Sequence, residues 1–212
     1  MNKQTLLDNL SCKLSTPSKM PGYTFALPAK DCITGGKLRT IAGSVCYGCY
    51  AHKGAYSYPK TKAVREHNLA IIRDSSKLVT WAIELSGFIN TTKQKEFRFH
   101  DSGDIQSIEH LCAIVGIAKK CPDTKFWLPT KEYAFVSQYN KRFGAFPSNL
   151  CVRVSSPMLG QAPLKAYTCT STVDSDSASF NCPVSDGKET CNTYKCRACW
   201  DNNVTNINYH KH

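Results

Sequence analysis

Between residues 96 and 156 the spacing of apolar residues switches back and forth between a period of two and a period near 3.6. That alternation constrains the fold more than any other feature of the chain. In "EFRFHDSGD" (96–104), Phe97 and Phe99 alternate with Arg98 and His100, as a strand requires. "IQSIEHLCAIVGIAKK" follows with Ile108, Leu111, Cys112, Val115 and Ala118 at helical spacing, two lysines at its end and Asp104 as the expected N-cap. "KFWLPT" (125–130) is a second strand, residues 131–142 form a shorter helix, and "NLCVRVSS" (149–156) is a third strand. Upstream, "TKAVREHNLAIIRD" (61–74) and "SKLVTWAIELSGFIN" (76–90) carry amphipathic helical patterns.

Strand, helix, strand, helix, strand with short turns is the pattern of βα units around a parallel sheet. The expected fold class is therefore α/β, a partial (β/α) barrel-like parallel sheet. It is flanked by a cysteine-rich, metal-binding N-terminal loop and a cysteine-rich C-terminal tail. The 212 residues read as one domain, with the cysteine-containing loop at 24–60, the βα core at 61–165 and the metal-binding tail at 166–212.

Functional groups in parallel sheets collect at the carboxyl ends of the strands. Three polar clusters end the strands here: "HDSGD", "PTKEY" and "SSPM". His100, Asp101 and Asp104 are the candidate catalytic residues, being able to bind a metal, exchange a proton or hold an amino group. Ser102, Gly103, Lys131 and Arg153 are candidates for cofactor binding, with Glu132, Tyr133, Ser155 and Ser156 lining the same mouth. Gly103 also allows a ligand to approach the backbone closely.

The chain holds twelve cysteines. It has neither a sustained apolar N-terminal segment nor a run of roughly 18 apolar residues, so no membrane span is expected and a cytoplasmic location is. In a reducing compartment, clustered cysteines bind metal or do redox chemistry more often than they form disulfides. Cys182, Cys191, Cys196 and Cys199 have the spacing C-x8-C-x4-C-x2-C, and four soft thiolates suit zinc or an iron–sulfur cluster. Cys46 and Cys49 form a C-x-x-C pair, with Cys32 the nearest third thiol. Three thiolates without a local fourth fit an iron–sulfur cluster with one open iron. A closed zinc site completed by His52, Cys12 or Cys169 is an alternative, and a bare redox dithiol is another. Cys112 and Cys151 read as core residues.

Lys and Arg outnumber Asp and Glu by 27 to 16, for a net charge of +11. The first 75 residues alone carry eleven cations and four acids. Such a surface is suited to a polyanion, a nucleotide or nucleic acid.

"GSVCYGCYAHKGAYSYP", "FRFHDSGDIQSIEHL", "KFWLPTKEY", "NLCVRVSS" and "CRACWD", in this order, resemble the phage-encoded "gene product 88" family over residues 20–212. The resemblance implies viral origin and a host cytoplasm, and supplies no activity. A more distant likeness is to the radical S-adenosylmethionine enzymes, which hold a [4Fe–4S] cluster by C-x3-C-x2-C. It would make Cys32, Cys46 and Cys49 the cluster ligands and set Ser102–Gly103–Asp104 in place of the Gly-Gly-Glu segment that contacts the methionine amino group. In this chain thirteen residues separate Cys32 from Cys46, where those enzymes have three, and Gly48 stands where they carry an aromatic residue.

The expected function is thus an iron–sulfur protein with one or two [4Fe–4S] clusters, a redox or radical-type enzyme for an anionic substrate, with S-adenosylmethionine a possible cofactor. One alternative is a zinc-stabilised module that binds nucleic acid or a host protein without catalysis. The other is a metal-dependent hydrolase or nuclease using His100, Asp101 and Asp104.

Overall fold

The computed structural model describes residues 2–177, 179–184 and 189–211. Ser185–Lys188, inside the first interval of the tail spacing, lie outside them. Eight strands form one open sheet in the order β1-β2-β3-β4-β5-β6-β8-β7. They are β1 (Leu14–Ser15), β2 (Tyr23–Phe25), β3 (Glu96–Phe99), β4 (Lys125–Thr130), β5 (Leu150–Ser155), β6 (Thr170–Val173), β7 (Phe180–Asn181) and β8 (Asn206–Tyr209). Only β1 runs antiparallel to its neighbour. The sheet does not close, so the expected barrel-like form reduces to a mostly parallel open sheet, in chain order from β1 to β6, with β8 inserted before β7.

Among the described residues six α-helices accompany it: α1 (Lys3–Asp8), α2 (Ile33–Leu38), α3 (Pro59–Arg73), α4 (Ser75–Thr91), α5 (Ile108–Lys120) and α6 (Tyr133–Phe143). From β2 to β5 each strand is added on the same side of the last. Right-handed crossovers then place α3, α4, α5 and α6 on one face. The core confirms this placement. Phe97, Phe99, Phe126, Leu128, Leu150, Val152 and Val154 pack with Trp81, Leu85, Ile89, Leu111, Ile114 and Val136 from the helices. Strand alternation sends Arg98, Trp127, Cys151 and Arg153 to the opposite face.

That second face is covered by the C-terminal segment. Trp127 packs with Cys199, Trp200 and Ile207 in a separate cluster. Its ring lies 5.2 Å from that of Trp200, whose Nε1 donates to the Phe97 carbonyl at 3.0 Å. The tail is therefore part of the fold: β6, β7 and β8 extend the sheet, and residues 198–204 cover its second face.

Two local expectations are corrected. Ser107 caps α5, its Oγ accepting from His110 N at 3.1 Å. Asp104 is turned elsewhere, because its carboxylate accepts from Thr130 Oγ1 at 2.6 Å and from the Lys131 amide at 2.8 Å. Asp104 thus ties the end of β3 to the end of β4. The 24–60 segment, read mainly as loop, contributes the last residues of β2, helix α2, three 3-10 turns at Ala29–Asp31, Tyr50–His52 and Gly54–Ser57, and the start of α3.

Candidate functional site

At the carboxyl end of β2 the chain turns through a 3-10 turn, Ala29–Asp31, and Cys32 opens α2 at its N-cap position. Cys46 and Cys49 sit in the following turn, where Cys49 N donates to Cys46 O at 3.1 Å. Gly48 between them has φ +72°, a left-handed conformation that glycine adopts without strain. Gly35 draws the two segments together. A Cβ on it would stand 3.1 Å from Cys32 Cβ, 3.5 Å from Cys46 Sγ and 3.7 Å from Cys32 Sγ.

The same point lies at the mouth of the sheet. Burial raises the Cys32 thiol, and the Asp104, Cys46, Cys49 and Glu132 charges raise it further. Burial likewise raises Cys46, while the Lys131 ammonium pulls it down. Glu132 receives Thr34 N at 2.9 Å on one oxygen and Thr34 Oγ1 at 2.8 Å on the other, fastening α2 to the end of β4. Cys32, Cys46, Cys49, Asp104, Lys131 and Glu132 are thus gathered at the carboxyl edge of β2–β4. Burial pushes the Asp104 carboxyl up to about 6 against the hydrogen bonds from Thr130 and Lys131, which lower it.

Ser102 and Gly103 are placed there by a close crossing. Leu27 N donates to Ser102 O at 3.0 Å, and Ser102 Oγ donates to Leu27 O at 2.8 Å. Ser102 is therefore occupied as a staple between β2 and β3. Gly103, at φ +80°, has no room for a side chain: a Cβ would lie 2.5 Å from Leu27 Cβ and 2.8 Å from the Leu27 carbonyl.

Three expected site residues are elsewhere. His100 has φ +63°, which breaks the alternation of β3 and turns its ring into the helix-side core, 5.3 Å from the His110 ring. Asp101 faces Arg65 at 3.8 Å and Tyr56, and its carbonyl accepts from Tyr50 OH at 2.7 Å. Arg153 is fully buried beneath the tail. It donates to the carbonyls of Thr170, Val204, Ala198 and Asp201 and to Cys151 Sγ at 3.3 Å, away from the strand-end mouth.

Burial lowers His100 far below its ordinary value and His110 to about 3, so both are neutral in the fold. The unfolded chain protonates them near pH 6.5. Stability is thus full above pH 6.5 and falls as the pH drops toward 3. The loss is up to about 1.4 kcal/mol per pH unit for each histidine. Urea midpoints at pH 7 and pH 5 measure it. His110→Leu is expected to shrink the difference, and an unchanged difference would contradict the buried neutral pair.

Of the further ligands considered for the first group, Cys12 lies in the helix-side core. Cys169 immediately precedes β6, beside Asn202 and Cys151. The His52 ring nitrogen is 3.5 Å from the Arg39 guanidinium. None of the three completes it.

The four tail cysteines form a second group. The Cys182 thiol feels Cys196, Cys191 feels both Cys182 and Cys196, and Cys199 feels Cys182. Cys191 N is anchored on Lys19 O at 2.9 Å, Cys196 N on Cys191 O at 2.8 Å and Cys182 N on Asn208 O at 2.9 Å. Burial pushes the Cys199 thiol up to about 12, and its sulfur lies 3.1 Å from Tyr209 OH. The group sits on the helix-free face of the sheet, with the Arg98 and Arg153 cations nearby. All twelve cysteines are free thiols. Among the described residues no three His, Cys, Asp or Glu side chains close on a single ion.

Thr34 and Thr130 brace the site through Glu132 and Asp104, and Arg65, Tyr50 and Tyr56 hold Asp101; none of the five was singled out in the sequence. Arg65 was detectable: it shares a helical stripe with the buried Asn68, Leu69 and Ile72, where an unpaired cation is costly. The others carry no such signal, because their roles depend on long-range contacts.

An open, mostly parallel α/β sheet carrying one cysteine group at its carboxyl edge and another on its helix-free face defines the class of protein. Residues 2–202 match the family model Gene product 88, and the chain belongs to that phage gene-product family. No curated protein and no solved structure matches it. No helix among the described residues is long and apolar enough to cross a membrane.

Proposed function

We propose that this chain is an iron–sulfur protein with two cysteine-held centres, acting as a redox or radical-type enzyme on an anionic substrate. The observation that carries the reading is the meeting of Cys32, Cys46 and Cys49 beside Asp104 and Lys131 at the carboxyl edge of the sheet. The donor set fits such a group. Thiolates are soft ligands, three of them leave one position of a four-iron cluster open, and the small Gly35 leaves space against two of the sulfurs.

When bound, a cluster supplies one-electron chemistry at that edge. The chain's own residues would hold and orient a cofactor or substrate beside it. Asp104 would receive a cationic amino group, and Lys131 a carboxylate or phosphate. Gly103 presents bare backbone at the mouth. S-adenosylmethionine belongs to this proposal as the cofactor whose amino group Asp104 would take. Ser102 would contribute only its backbone, since its hydroxyl is spent on Leu27. The net charge of +11 supports an anionic substrate.

A zinc reading has one specific observation behind it. The tail brings its four cysteines to the helix-free face, Cys182 and Cys199 packed with the buried Trp127–Trp200 pair, and a closed structural zinc site would need no open position. The hydrolase reading is less favoured, because the His100 ring lies against His110 in the helix-side core and the Asp101 carboxylate is engaged by Arg65 and Tyr56.

Electron paramagnetic resonance of the reduced, anaerobic protein tests the open-site proposal. Adding S-adenosylmethionine is expected to shift the signal of the wild-type protein and to leave that of Cys46→Ala unchanged. A wild-type signal indifferent to the addition would remove S-adenosylmethionine from the account.

A further inference from the structure

The residues surrounding the first cysteine group differ in character from the rest of the surface. From Cys32 to Ala63 the chain has five Lys or Arg (Lys37, Arg39, Lys53, Lys60 and Lys62) and no Asp or Glu. All five are exposed. Among the described residues Lys37, Arg39, Lys53 and Lys60 enter no ion pair with a carboxylate. The same stretch exposes large apolar side chains that a solitary surface would hide, Tyr47 at 54% and Tyr58 at 63% being the most open.

These residues belong to one structured surface. The Arg39 guanidinium reaches the His52 ring at 3.5 Å, joining the end of α2 to the turn after Cys49. The Lys53 ammonium lies 3.9 Å from where a Cβ on Gly48 would stand, which sets it over the Cys46–Cys49 turn beside Tyr47. Tyr58 occupies the N-cap of α3, where the 3-10 turn Gly54–Ser57 ends. Ser44 pairs with Met158 and Val45 N donates to Pro157 O at 2.8 Å, so the loop is fastened to the chain beyond β5.

We infer that this surface binds single-stranded nucleic acid, with Tyr47 and Tyr58 stacking on bases and Lys37, Arg39, Lys53 and Lys60 taking phosphates. Cations with no carboxylate partners, interleaved with exposed aromatic rings, match a strand that offers both charge and unstacked bases. A duplex hides its base faces and would leave the tyrosines without a partner. An acidic protein surface would use the cations alone. The further step, that this strand is the substrate of the cysteine site it surrounds, rests on the reading above. The binding surface does not.

Fluorescence anisotropy with a labelled oligothymidylate of about 20 nucleotides, long enough to cover such a site, tests the inference. The full-length protein is expected to bind it with an affinity that falls steeply with salt. Tyr47→Ala with Tyr58→Ala is expected to weaken binding at least tenfold, as two lost stacking contacts imply. Changing Lys37, Arg39, Lys53 and Lys60 to Gln is expected to flatten the log–log salt slope by about three. Equal binding by the tyrosine variant would overturn the inference. So would equal displacement of the strand by a base-free polyanion such as polyglutamate, or preference for the duplex of the same length.

Far-ultraviolet circular dichroism and melting of each variant establish that it is folded, as the exposure of the changed residues predicts. Iron and sulfide are measured in the same preparations. Absent binding by protein that holds iron overturns this inference alone, and binding by protein that holds none overturns the iron–sulfur reading alone.

Discussion

Cys46→Ala is expected to remove about half of the iron and acid-labile sulfide from the protein and to leave the rest in place. Cys46 is half-buried in a surface turn, and its sulfur faces Cys32 across Gly35. Losing it leaves two thiols, too few to hold a cluster at the sheet's carboxyl edge. The tail group shares no ligand with it and lies on the helix-free face, under Trp127 and Trp200. Cys196→Ala is expected to have the complementary effect, emptying the tail and sparing the edge. The measurement is iron and sulfide per chain for each variant beside the wild type. Loss of all iron in either variant would contradict two separate centres.

Gly103→Ala is expected to destabilise the protein by about 3 kcal/mol or more, a large effect for the addition of one methyl group. Two terms add. An alanine at φ +80° adopts a backbone region worth about 1–3 kcal/mol of strain. Its Cβ would also stand 2.5 Å from Leu27 Cβ and 2.8 Å from the Leu27 backbone, and overpacking of a tight contact costs about 1–3 kcal/mol more. The backbone cannot retreat freely, because two hydrogen bonds hold Ser102 to Leu27 on one side and two hold Asp104 to the end of β4 on the other. Gly116→Ala is the control. Gly116 lies within α5 with nothing near its missing side chain, and alanine there is expected to stabilise by up to about 1 kcal/mol. Urea midpoints read both, and equal midpoints for the two variants would refute the close crossing.

The centre of the fold was legible in the sequence because its residues alternate. Phe97 and Phe99, then the α5 stripe, then Phe126 and Leu128 announce their period through side chains that end in one core. The strands toward the C-terminus were not legible. β6 reads Thr-Ser-Thr-Val and pairs with a β8 that reads Asn-Ile-Asn-Tyr. Their side chains form a polar ladder, Thr170 with Asn206 at 3.0 Å and Thr172 with Asn208 at 3.1 Å, so β6 shows no apolar period and β8 offers only Ile207 and Tyr209 between its asparagines. β1 and β7, two residues each, are too short to show any period.

The candidate site divides along the same line. Ends of parallel strands led to Asp104 and Lys131, and cysteine spacing led to the two thiol groups. His100 was misplaced because a single left-handed residue reverses the alternation on which its placement rested. Arg153 was misplaced for a different reason. Alternation assigns it to the helix-free face, and that face is closed by Ala198, Asp201 and Val204, some 45 to 51 residues away in sequence. Spacing within one strand holds no record of that cover.

The central claim, that the two cysteine groups hold iron–sulfur clusters, is tested most directly by assaying iron, acid-labile sulfide and zinc in protein purified without oxygen. The account predicts brown protein in which iron and sulfide are equal and suffice for two clusters, with the colour bleached by reductant. Colourless protein carrying stoichiometric zinc and no sulfide would contradict it.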